Sequence, residues 1–375
     1  MTFVFWFIVF LAALSPLLLL LAIGRLLVSR RENPRSPVFT AALGYPVVSL
    51  MIAARNEERN IVACLDSVDR LTYPKERLEV LIGNDHSEDA TQARVEQYIR
   101  GKPWFRLVNI GENLGNTRGK ANVLAHLTQQ ARGQYFFFTD ADMELPRGWV
   151  EQMLGAFEPV NGRETGVVTG FTVIKGSSFF ARLQEIDWLY SLGTVCLLSN
   201  LGIPVSTLGN NMAVTRRAYF ATTGYERLPF SITEDHQLFH EIVRRGFAFR
   251  QLMEPGITAV TKPMPDLRHW LHQRKRWMKA ALHSVQPLRG FILLQILFFP
   301  LLFCTYQFNP PAAFALLVSR VVLQALYINV VATCVLRQGP GPAIFLFELY
   351  TIFLNSILLL FYFLPTKINW KNREY

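Results

Sequence analysis

The chain has 375 residues, 51% of them hydrophobic, and a formal net charge of +10. A chain of this length can hold one large catalytic domain plus membrane segments. The apolar excess is concentrated at the two ends of the chain, where we expect the membrane segments. The basic residues flank apolar segments and form no nucleic-acid module, so we expect the positive charge to meet a membrane surface and no nucleic acid to be a partner.

The first apolar segment covers residues 2–24 and is long enough to span a bilayer as a helix. A cleaved signal peptide is the alternative. No basic residue precedes this segment, however, and the first ones follow it from Arg25 onward. This order predicts an uncleaved anchor over residues 1–28 with its N-terminus outside, then a linker over 29–45 and the rest in the cytoplasm.

From residue 46 onward, short apolar strands alternate with helices. The sequence predicts strands over 47–53, 78–83, 106–110 and 135–139, and helices over 57–71, 88–100 and 120–132. Such alternation is typical of an α/β domain with a mixed, mainly parallel sheet, here expected over residues 46–262. In these sheets ligands bind beyond the carboxyl ends of the strands, so the polar residues at those ends are the candidates for a site.

The second half of this domain has a less regular pattern. A strand is predicted over 166–173, a helix over 179–200 and a further helix over 236–245. Residues 263–288 then form a basic, aromatic, amphipathic segment of the kind that lies at a membrane interface.

Three apolar runs follow, at 290–306, 311–336 and 341–364. They form the predicted membrane segments over 289–365, followed by a basic tail over 366–375, and Arg320 either snorkels or faces another helix. Four crossings would place the basic tail outside, against the positive-inside tendency. We therefore expect one run, 290–306 broken near Pro300, to lie in the interface.

Carboxylates follow the fourth predicted strand, in the sequence Asp140-Ala141-Asp142. Two such oxygen ligands can approach Mg²⁺ or Mn²⁺, which would neutralise a departing diphosphate, although similar pairs also occur as turn residues. Polar loops also follow the first strand, at 55–58, and the second, at 84–89, where capping of the next helix is the alternative. Three polar strand ends together favour a ligand site.

Three later patterns also suit a transfer reaction. The glycine-rich turn before Lys120 suits an anionic group at a helix N-terminus. Glu234 and Asp235 stand at a helix start, where they either favour the helix dipole or supply a general base. Gln273, Arg276 and Trp277 share one helix face and offer an amide, a guanidinium that can grip phosphate and a flat apolar platform for a sugar ring.

Taken in order, these motifs resemble family 2 glycosyltransferases with a GT-A fold. The resemblance covers residues 46–284 and is to the membrane-anchored branch with hyaluronan, cellulose and poly-N-acetylglucosamine synthases and ceramide glucosyltransferase. The matching residues are Asn56-Glu57, Asp85, Gly119-Lys120-Ala121, Asp140-x-Asp142, Thr233-Glu234-Asp235 and Gln273-x-x-Arg276-Trp277. One departure is Asn84, which stands where the family usually has a first aspartate before Asp85.

The resemblance implies a role for each matching position. For the donor, Ala53 and Glu57 would contact the nucleoside, and Asp85 would contact the uracil. Lys120 would lie near the nucleotide. Asp140 would lie beside the nucleotide, the sugar and the metal, and Asp142 would bind the metal. Transfer roles fall on Asp235 as catalytic base with Glu234 beside it, on Gln273, Arg276 and Trp277 over the diphosphate and acceptor, and on Asn210 and Asn211 in the acceptor region.

The implied protein is an inverting, metal-dependent hexosyltransferase in the cell inner membrane. It is multi-pass with a cytoplasmic catalytic domain, and it moves sugar from a UDP-sugar to a membrane-associated glycan or glycolipid, with a partner subunit left open. One alternative is a single addition to a lipid acceptor such as a glycolipid, polyprenyl carrier or pigment. Another is a non-catalytic sugar-nucleotide sensor, which would predict loss of the metal or base carboxylates, yet Asp140, Asp142 and Asp235 are all present.

Overall fold

The computed structural model of the chain describes residues 2–32, 39, 44–282, 285–336, 339–364, 369–370 and 373–374. Most of the linker predicted over 29–45 and of the tail predicted over 366–375 therefore lies outside the described residues. The strands are β1 Val48–Ala54, β2 Leu78–Asn84, β3 Phe105–Asn109, β4 Tyr135–Asp140, β5 Thr165–Thr169, β6 Thr172–Ile174, β7 Asn211–Thr215, β8 Ala248–Gln251, β9 Ala259–Thr261, β10 Asn369–Trp370 and β11 Arg373–Glu374.

The helices alternate with the strands in the first half of the domain and are longest in the apolar segments. They are α1 Thr2–Glu32, α2 Ile61–Asp69, α3 Thr91–Ile99, α4 Lys120–Gln130, α5 Trp149–Gly155, α6 Phe179–Asn200, α7 Arg216–Ala221, α8 Glu234–Arg244, α9 Leu267–Leu282, α10 Gln286–Phe308, α11 Pro310–Leu336 and α12 Phe347–Phe363. The predicted helix over 179–200 is confirmed at both ends, whereas α8 begins at Glu234, two residues before its predicted start.

The main sheet has seven strands in the order β3-β2-β1-β4-β7-β5-β8. The first four strands in this order are parallel, and β7 runs antiparallel between β4 and β5. The predicted mixed, mainly parallel sheet is thus confirmed. Every residue of β1 and β2 is buried, as expected for parallel strands that helices cover on both faces.

The two faces of β1 belong to two different hydrophobic clusters. Leu50 and Ile52 pack into a cluster with α2 and α5, and Met51 packs into one with α4 and α8. This alternation follows from the two-residue period of a strand. Helices therefore hold the sheet from both sides and leave its strand ends as the open edge.

The strand predicted over 166–173 is wrong in one respect, because the structure divides it. β5 belongs to the main sheet, whereas β6 pairs with β9 in a separate two-stranded sheet. The chain bends at Gly170, whose N–H donates to the Asn211 carbonyl at 2.8 Å. A Cβ at Gly170 would lie 2.4 Å from Asn211 Oδ1, so the bend requires glycine.

Four helical segments are long and apolar enough to cross a membrane: Val4–Ser29, Gln286–Phe308, Pro310–Leu336 and Pro342–Phe363. α1, α10 and α11 pack against one another. The predicted break near Pro300 is wrong, since α10 is continuous through it. Proline removes one backbone donor, but membrane helices tolerate it where neighbouring groups satisfy the freed carbonyl.

Arg320 joins the apolar helices through one polar cluster. Its Nε donates to Glu348 Oε1 at 2.7 Å, and a second guanidinium nitrogen donates to Ser15 Oγ at 2.7 Å. The guanidinium carbon lies 4.1 Å from the centroid of the Phe298 ring. Arg320 therefore faces other helices, with contacts to α1, α10 and α12 from its own position on α11.

We expect Arg320→Leu to lower the free energy of unfolding by about 3 kcal/mol, because it leaves the buried Glu348 carboxylate without its guanidinium. The double variant Arg320→Leu/Glu348→Leu should recover most of this loss, since apolar side chains then fill the site. Thermal unfolding of the detergent-solubilised variants measures both effects. A single variant as stable as wild type would contradict the expectation.

Candidate active site

A cleft opens at the carboxyl ends of β1, β2 and β4. The register explains why these ends meet, since Ala53 pairs with both Gly83 and Asp140. The side chains that line the cleft come from seven segments: Ala53–Arg55, Asp85, Arg118–Ala121 with Val123, Asp140, Leu208–Asn210, Phe230–Asp235, and Arg276 with Trp277. The polar ends of the first, second and fourth strands therefore contribute to one site.

The loops after β1 and β2 are bonded to each other. Asn56 N donates to Ser87 Oγ at 3.1 Å, and Glu88 N donates to Asn56 Oδ1 at 2.9 Å. Asp89 accepts from Thr91 N at 2.9 Å and so bonds to the first residue of α3, although the N-cap of that helix is Ala90. Asp85 instead lines the cleft, and its backbone carbonyl accepts from an Arg55 guanidinium nitrogen at 3.0 Å.

Asn84 and Glu57 face inward from the same loops. Asn84 is buried, and its amide donates to Asn109 Oδ1 and to Gln92 Oε1. Glu57 is also buried, does not line the cleft, and accepts from Asn60 Nδ2 at 2.7 Å. Both residues therefore stabilise the loops that shape the cleft.

Lys120 is the first residue of α4, directly after Gly119, whose φ of 58° favours glycine. Its Nζ lies 2.5 Å from Asp140 Oδ1 and 3.4 Å from Glu234 Oε1. Burial opposes the ammonium charge, but the carboxylates of Asp140, Glu234 and Asp235 outweigh it and raise the pKa of Lys120. Lys120 is thus a permanent cation within an acidic cluster.

Glu234 and Asp235 form the first turn of α8, where the helix dipole favours negative charge. Asp235 Oδ2 accepts from Gly209 N at 2.6 Å, and Oδ1 accepts from His236 N at 2.8 Å. A Cβ on Gly209 would come within 2.7 Å of Asp235 Cβ, so this close approach requires glycine. The pKa of Glu234 is raised above its ordinary value, chiefly because burial disfavours the charged form. Lys120 opposes this rise, and the neighbouring Asp235 adds to it.

On α9, Arg276 and Trp277 line the cleft, while Gln273 is buried one turn earlier and does not line it. The Trp277 ring packs on the Trp188 ring of α6 at 5.3 Å between centroids. The guanidinium carbon of Arg274 lies 4.6 Å from the centroid of the Trp277 ring. Of the three residues predicted to share one helix face, Arg276 and Trp277 thus line the cleft and Gln273 does not.

Asp142 and Asn211, which the sequence also nominates, do not line the cleft. Asp142 is half-buried in the loop after β4. Asn211 is fully buried, accepts from Trp149 Nε1 and donates to the carbonyls of Phe171 and Ile257. Asn211 therefore joins the start of β7 to neighbouring segments of the core, while Asn210 lines the cleft.

Several residues that line the cleft are not among the predicted site residues. Arg55, Arg118 and Leu208 line it from loops, and so do residues 230–232 before α8. Arg55 is the one with a detectable signal, because it is a basic residue directly after a buried strand. The others reach the cleft through loop paths that depend on tertiary contacts.

A histidine pair on α8 lies behind Asp235. The rings of His236 and His240 are 4.3 Å apart, and their nitrogens approach Ser206 Oγ at 3.4 Å and the Val205 carbonyl at 3.3 Å. Burial, reinforced by His240 and opposed by Asp235, lowers the pKa of His236 to about 4. Burial also lowers the pKa of His240.

We expect the protein to lose stability as the pH falls from about 6.5 towards 4. His236 is harder to protonate when folded than its ordinary pKa of 6.5 implies, so the unfolded chain binds more protons in this window. Thermal unfolding against pH measures the loss. His236→Asn should flatten the curve, whereas the same change at the exposed His86 should not; an equal slope in both variants would contradict the assignment.

This arrangement defines the class of the domain: a GT-A nucleotide-diphosphosugar transferase fold whose cleft is lined by both carboxylate and basic side chains. Residues 49–224 match the family model described as glycosyl transferase family 2. Residues 49–224 therefore form a family 2 glycosyltransferase domain.

Among curated relatives, the chain is 31% identical to the beta-monoglucosyldiacylglycerol synthase of Synechocystis over 72% of this chain and 55% of the relative. It is 27% identical to the poly-beta-1,6-N-acetyl-D-glucosamine synthase of Staphylococcus aureus, over 69% of this chain and 60% of the relative. The chain thus spans little more than half the length of these relatives. A mannosyltransferase from Pyrobaculum calidifontis, solved with GDP-Man and Mn²⁺, shares the fold at a TM-score of 0.55 and 18% identity, covering 93% of this chain and 99% of that one.

Proposed function

We propose that the chain is an inverting hexosyltransferase that moves a sugar from a UDP-sugar to a hydroxyl of a membrane-associated glycan or glycolipid. The observation that carries this proposal is that one cleft is lined by Asp85 and Asp140 from the sheet, Asp235 from α8, and Arg276 and Trp277 from α9. Carboxylates for a proton, a guanidinium for a diphosphate and an indole for a sugar ring then share one space.

The donor end of the cleft is assigned to the loops after β1 and β2. Asp85 would accept hydrogen bonds from the uracil, with Arg55 fixing its loop through the Asp85 carbonyl. Ala53 leaves room for the nucleoside at the end of β1, because its side chain is small. Glu57 acts through Asn60 and the loop conformation, since it does not itself line the cleft.

Mg²⁺ or Mn²⁺ would be held by Asp142 and Asp140 together with the diphosphate oxygens. Within the described part of the chain, no three His, Cys, Asp or Glu side chains form a metal cluster. A pair of carboxylates suits such ions, which often complete their shell with water and substrate phosphate. When bound, the ion supplies charge neutralisation to the leaving diphosphate.

Asp235 is the proposed base, and it takes the proton from the acceptor hydroxyl. The freed oxygen forms a bond to the anomeric carbon while the bond from that carbon to the diphosphate oxygen breaks. The bonding electrons leave with the nucleotide diphosphate, which Arg276 stabilises. Gly209 N–H fixes the Asp235 carboxylate, and Glu234 lies beside it. One displacement inverts the anomeric centre, so an α-linked donor gives a β-linked product.

The acceptor end of the cleft is assigned to Trp277, with Gln273 supporting it from the preceding turn, and to Asn210. A single addition to a lipid is the second candidate, and the 31% identity to the beta-monoglucosyldiacylglycerol synthase of Synechocystis favours it. Trp277 packs on Trp188 of α6, and α6 packs against α11 and α12, which supports an acceptor end beside the apolar helices. A lipid hydroxyl can reach it there.

The membrane arrangement is part of the same proposal. We assign the anchor to residues 1–28, the catalytic domain to 46–262, the interfacial helix to 263–288 and the membrane segments to 289–365, in the cell inner membrane. The catalytic domain faces the cytoplasm, because basic residues follow the apolar segment 2–24 from Arg25 onward.

Nucleotide release by the purified, detergent-solubilised protein tests this function. UDP- and GDP-sugars are offered with Mn²⁺ or Mg²⁺ and membrane lipid extract, and the nucleotide diphosphate is measured. We expect release from one UDP-sugar that stops when a chelator removes the metal. Turnover of GDP-sugars alone would contradict the donor assignment, and release that survives chelation would contradict the metal assignment.

A further inference from the structure

The C-terminal end of α12 is bound to α9. Lys275 Nζ donates to the carbonyl of Leu364 at 2.9 Å and to that of Phe361 at 3.2 Å. The Phe361 ring also packs on the His272 ring at 5.2 Å between centroids. A lysine that binds the last carbonyls of a helix is a common way to end it, because those carbonyls have no partner within the helix.

This part of α9 lies on the side of the catalytic domain. Lys275 directly precedes Arg276 and Trp277, which line the cleft. Its neighbour Arg274 forms an ion pair with Asp187 of α6. The side chain of Lys275 therefore connects the end of α12 to the part of α9 that lines the cleft.

The first turn of α12 also contacts the catalytic side. Tyr350 Oη donates to Asp187 Oδ2 at 3.3 Å, and the Phe347 ring packs on the Tyr190 ring at 5.4 Å. Asp187 and Tyr190 both belong to α6. One helix of the catalytic domain thus holds the start of α12, and α9 holds its end.

The chain that leads into α12 runs back along α11. Gly339 lies against Asn329, since a Cβ there would be 2.6 Å from Asn329 Oδ1. Further on, Glu348 reaches Arg320, an earlier residue of α11. Residues 339–348 therefore return along α11 before α12 turns towards α9.

These contacts are incompatible with a crossing by α12. Its 17 residues make a helix of about 25 Å, close to the hydrocarbon thickness of about 30 Å. A crossing helix of that length would place its first and last turns at opposite faces of the bilayer. In this chain both turns contact helices on the catalytic side.

We propose that α12 is part of a re-entrant segment. Residues 339–348 enter the bilayer along α11, and α12 returns to the side of the catalytic domain without crossing. The chain then crosses three times, through α1, α10 and α11, and its C-terminal end lies on the catalytic side. This assigns to α12 the non-crossing role that the sequence suggests for 290–306. It also agrees with the positive-inside tendency of a basic C-terminal end.

In this arrangement the outer face of α12 contacts the acyl chains of the leaflet next to the catalytic domain. Leu349, Phe353, Leu360 and Phe363 are each more exposed than buried, at 64%, 66%, 71% and 77%. Such a row of exposed apolar side chains is stable against lipid and costly against water. β10 contacts α9 as well, so the chain stays on this side after α12.

The sidedness of three epitope tags on the full-length chain tests the proposal. One tag follows Tyr375, one is inserted in the α10–α11 turn at Asn309, and one is inserted at the exposed turn of Asn161 as the reference for the catalytic side. A membrane-impermeant protease is applied to sealed vesicles and again after detergent. We expect the tags at Tyr375 and Asn161 to share one side and the tag at Asn309 to lie on the other.

Two results would overturn the proposal. A C-terminal tag on the same side as the Asn309 tag would mean that α12 crosses. All three tags on one side would mean that α10 and α11 do not cross. The readout requires no turnover, so a failure of the proposed transferase activity leaves this test unaffected.

Discussion

We expect Asp235→Asn to lower the rate of sugar transfer by about 10⁴-fold, the upper end of what a general base contributes. The amide oxygen of asparagine can still accept from Gly209 N, so the contact that fixes this residue is retained. The variant loses the ability to take the acceptor proton, together with the bond that Oδ1 accepts from His236 N. Transfer at saturating donor measures the loss, and calorimetric titration with UDP should give an affinity close to that of wild type.

Asp266→Asn is the matched control, because Asp266 is exposed at the start of α9 and pairs with His269. It should transfer sugar at the wild-type rate. An Asp235→Asn variant that keeps about a tenth of wild-type activity or more would exclude Asp235 as the base, since a tenfold loss corresponds to only about 1.4 kcal/mol of transition-state stabilisation.

The second large effect is expected for Lys120→Met, which should lower kcat/KM by about 10³-fold, the scale of losing one preorganised charge in a water-poor site. Its ammonium lies between Asp140 and Glu234, and methionine leaves these carboxylates and Asp235 without that cation. The pKa of Glu234 should rise further, because Lys120 is the group that lowers it most. An anionic diphosphate would then meet stronger repulsion.

Nucleotide release at low donor concentration measures this loss, and UDP titration measures the weaker binding. Lys102→Met is the control, since Lys102 forms an ion pair of 2.9 Å with Asp69, and neither residue lines the cleft. If both lysine variants kept wild-type kcat/KM, Lys120 would have no part in the reaction.

The first half of the fold was predictable because its central strands, β1, β2 and most of β4, are buried on both faces. β1 is a continuous apolar run, and its register with β2 and β4 brings Ala53, Gly83 and Asp140 together. Parallel strands place their carboxyl ends at one edge, so polar residues after each strand could be assigned to one site from sequence alone.

The second half depends on contacts that periodicity does not encode. β7 is only five residues long and is inserted antiparallel between β4 and β5. Asn211 at its start reads as a polar site residue, yet it is used to join β7 to the Phe171 and Ile257 carbonyls. A polar residue beside a site and a polar residue that satisfies buried backbone look the same in sequence.

Composition also cannot separate a crossing helix from a re-entrant one. α10 and the segment Pro342–Phe363, which contains α12, are both long and apolar enough to span the bilayer. The contacts of α12 with α6 and α9 distinguish them, and long-range contacts of this kind have no local signal.

The anomeric configuration of the product tests the central claim most directly. The purified protein is given an α-linked UDP-sugar and membrane lipid extract, and the transferred sugar is assigned by the proton coupling of its anomeric carbon in an NMR spectrum. A β-linked product that is absent with Asp235→Asn is the predicted result. An α-linked product would contradict the single displacement and the role given to Asp235.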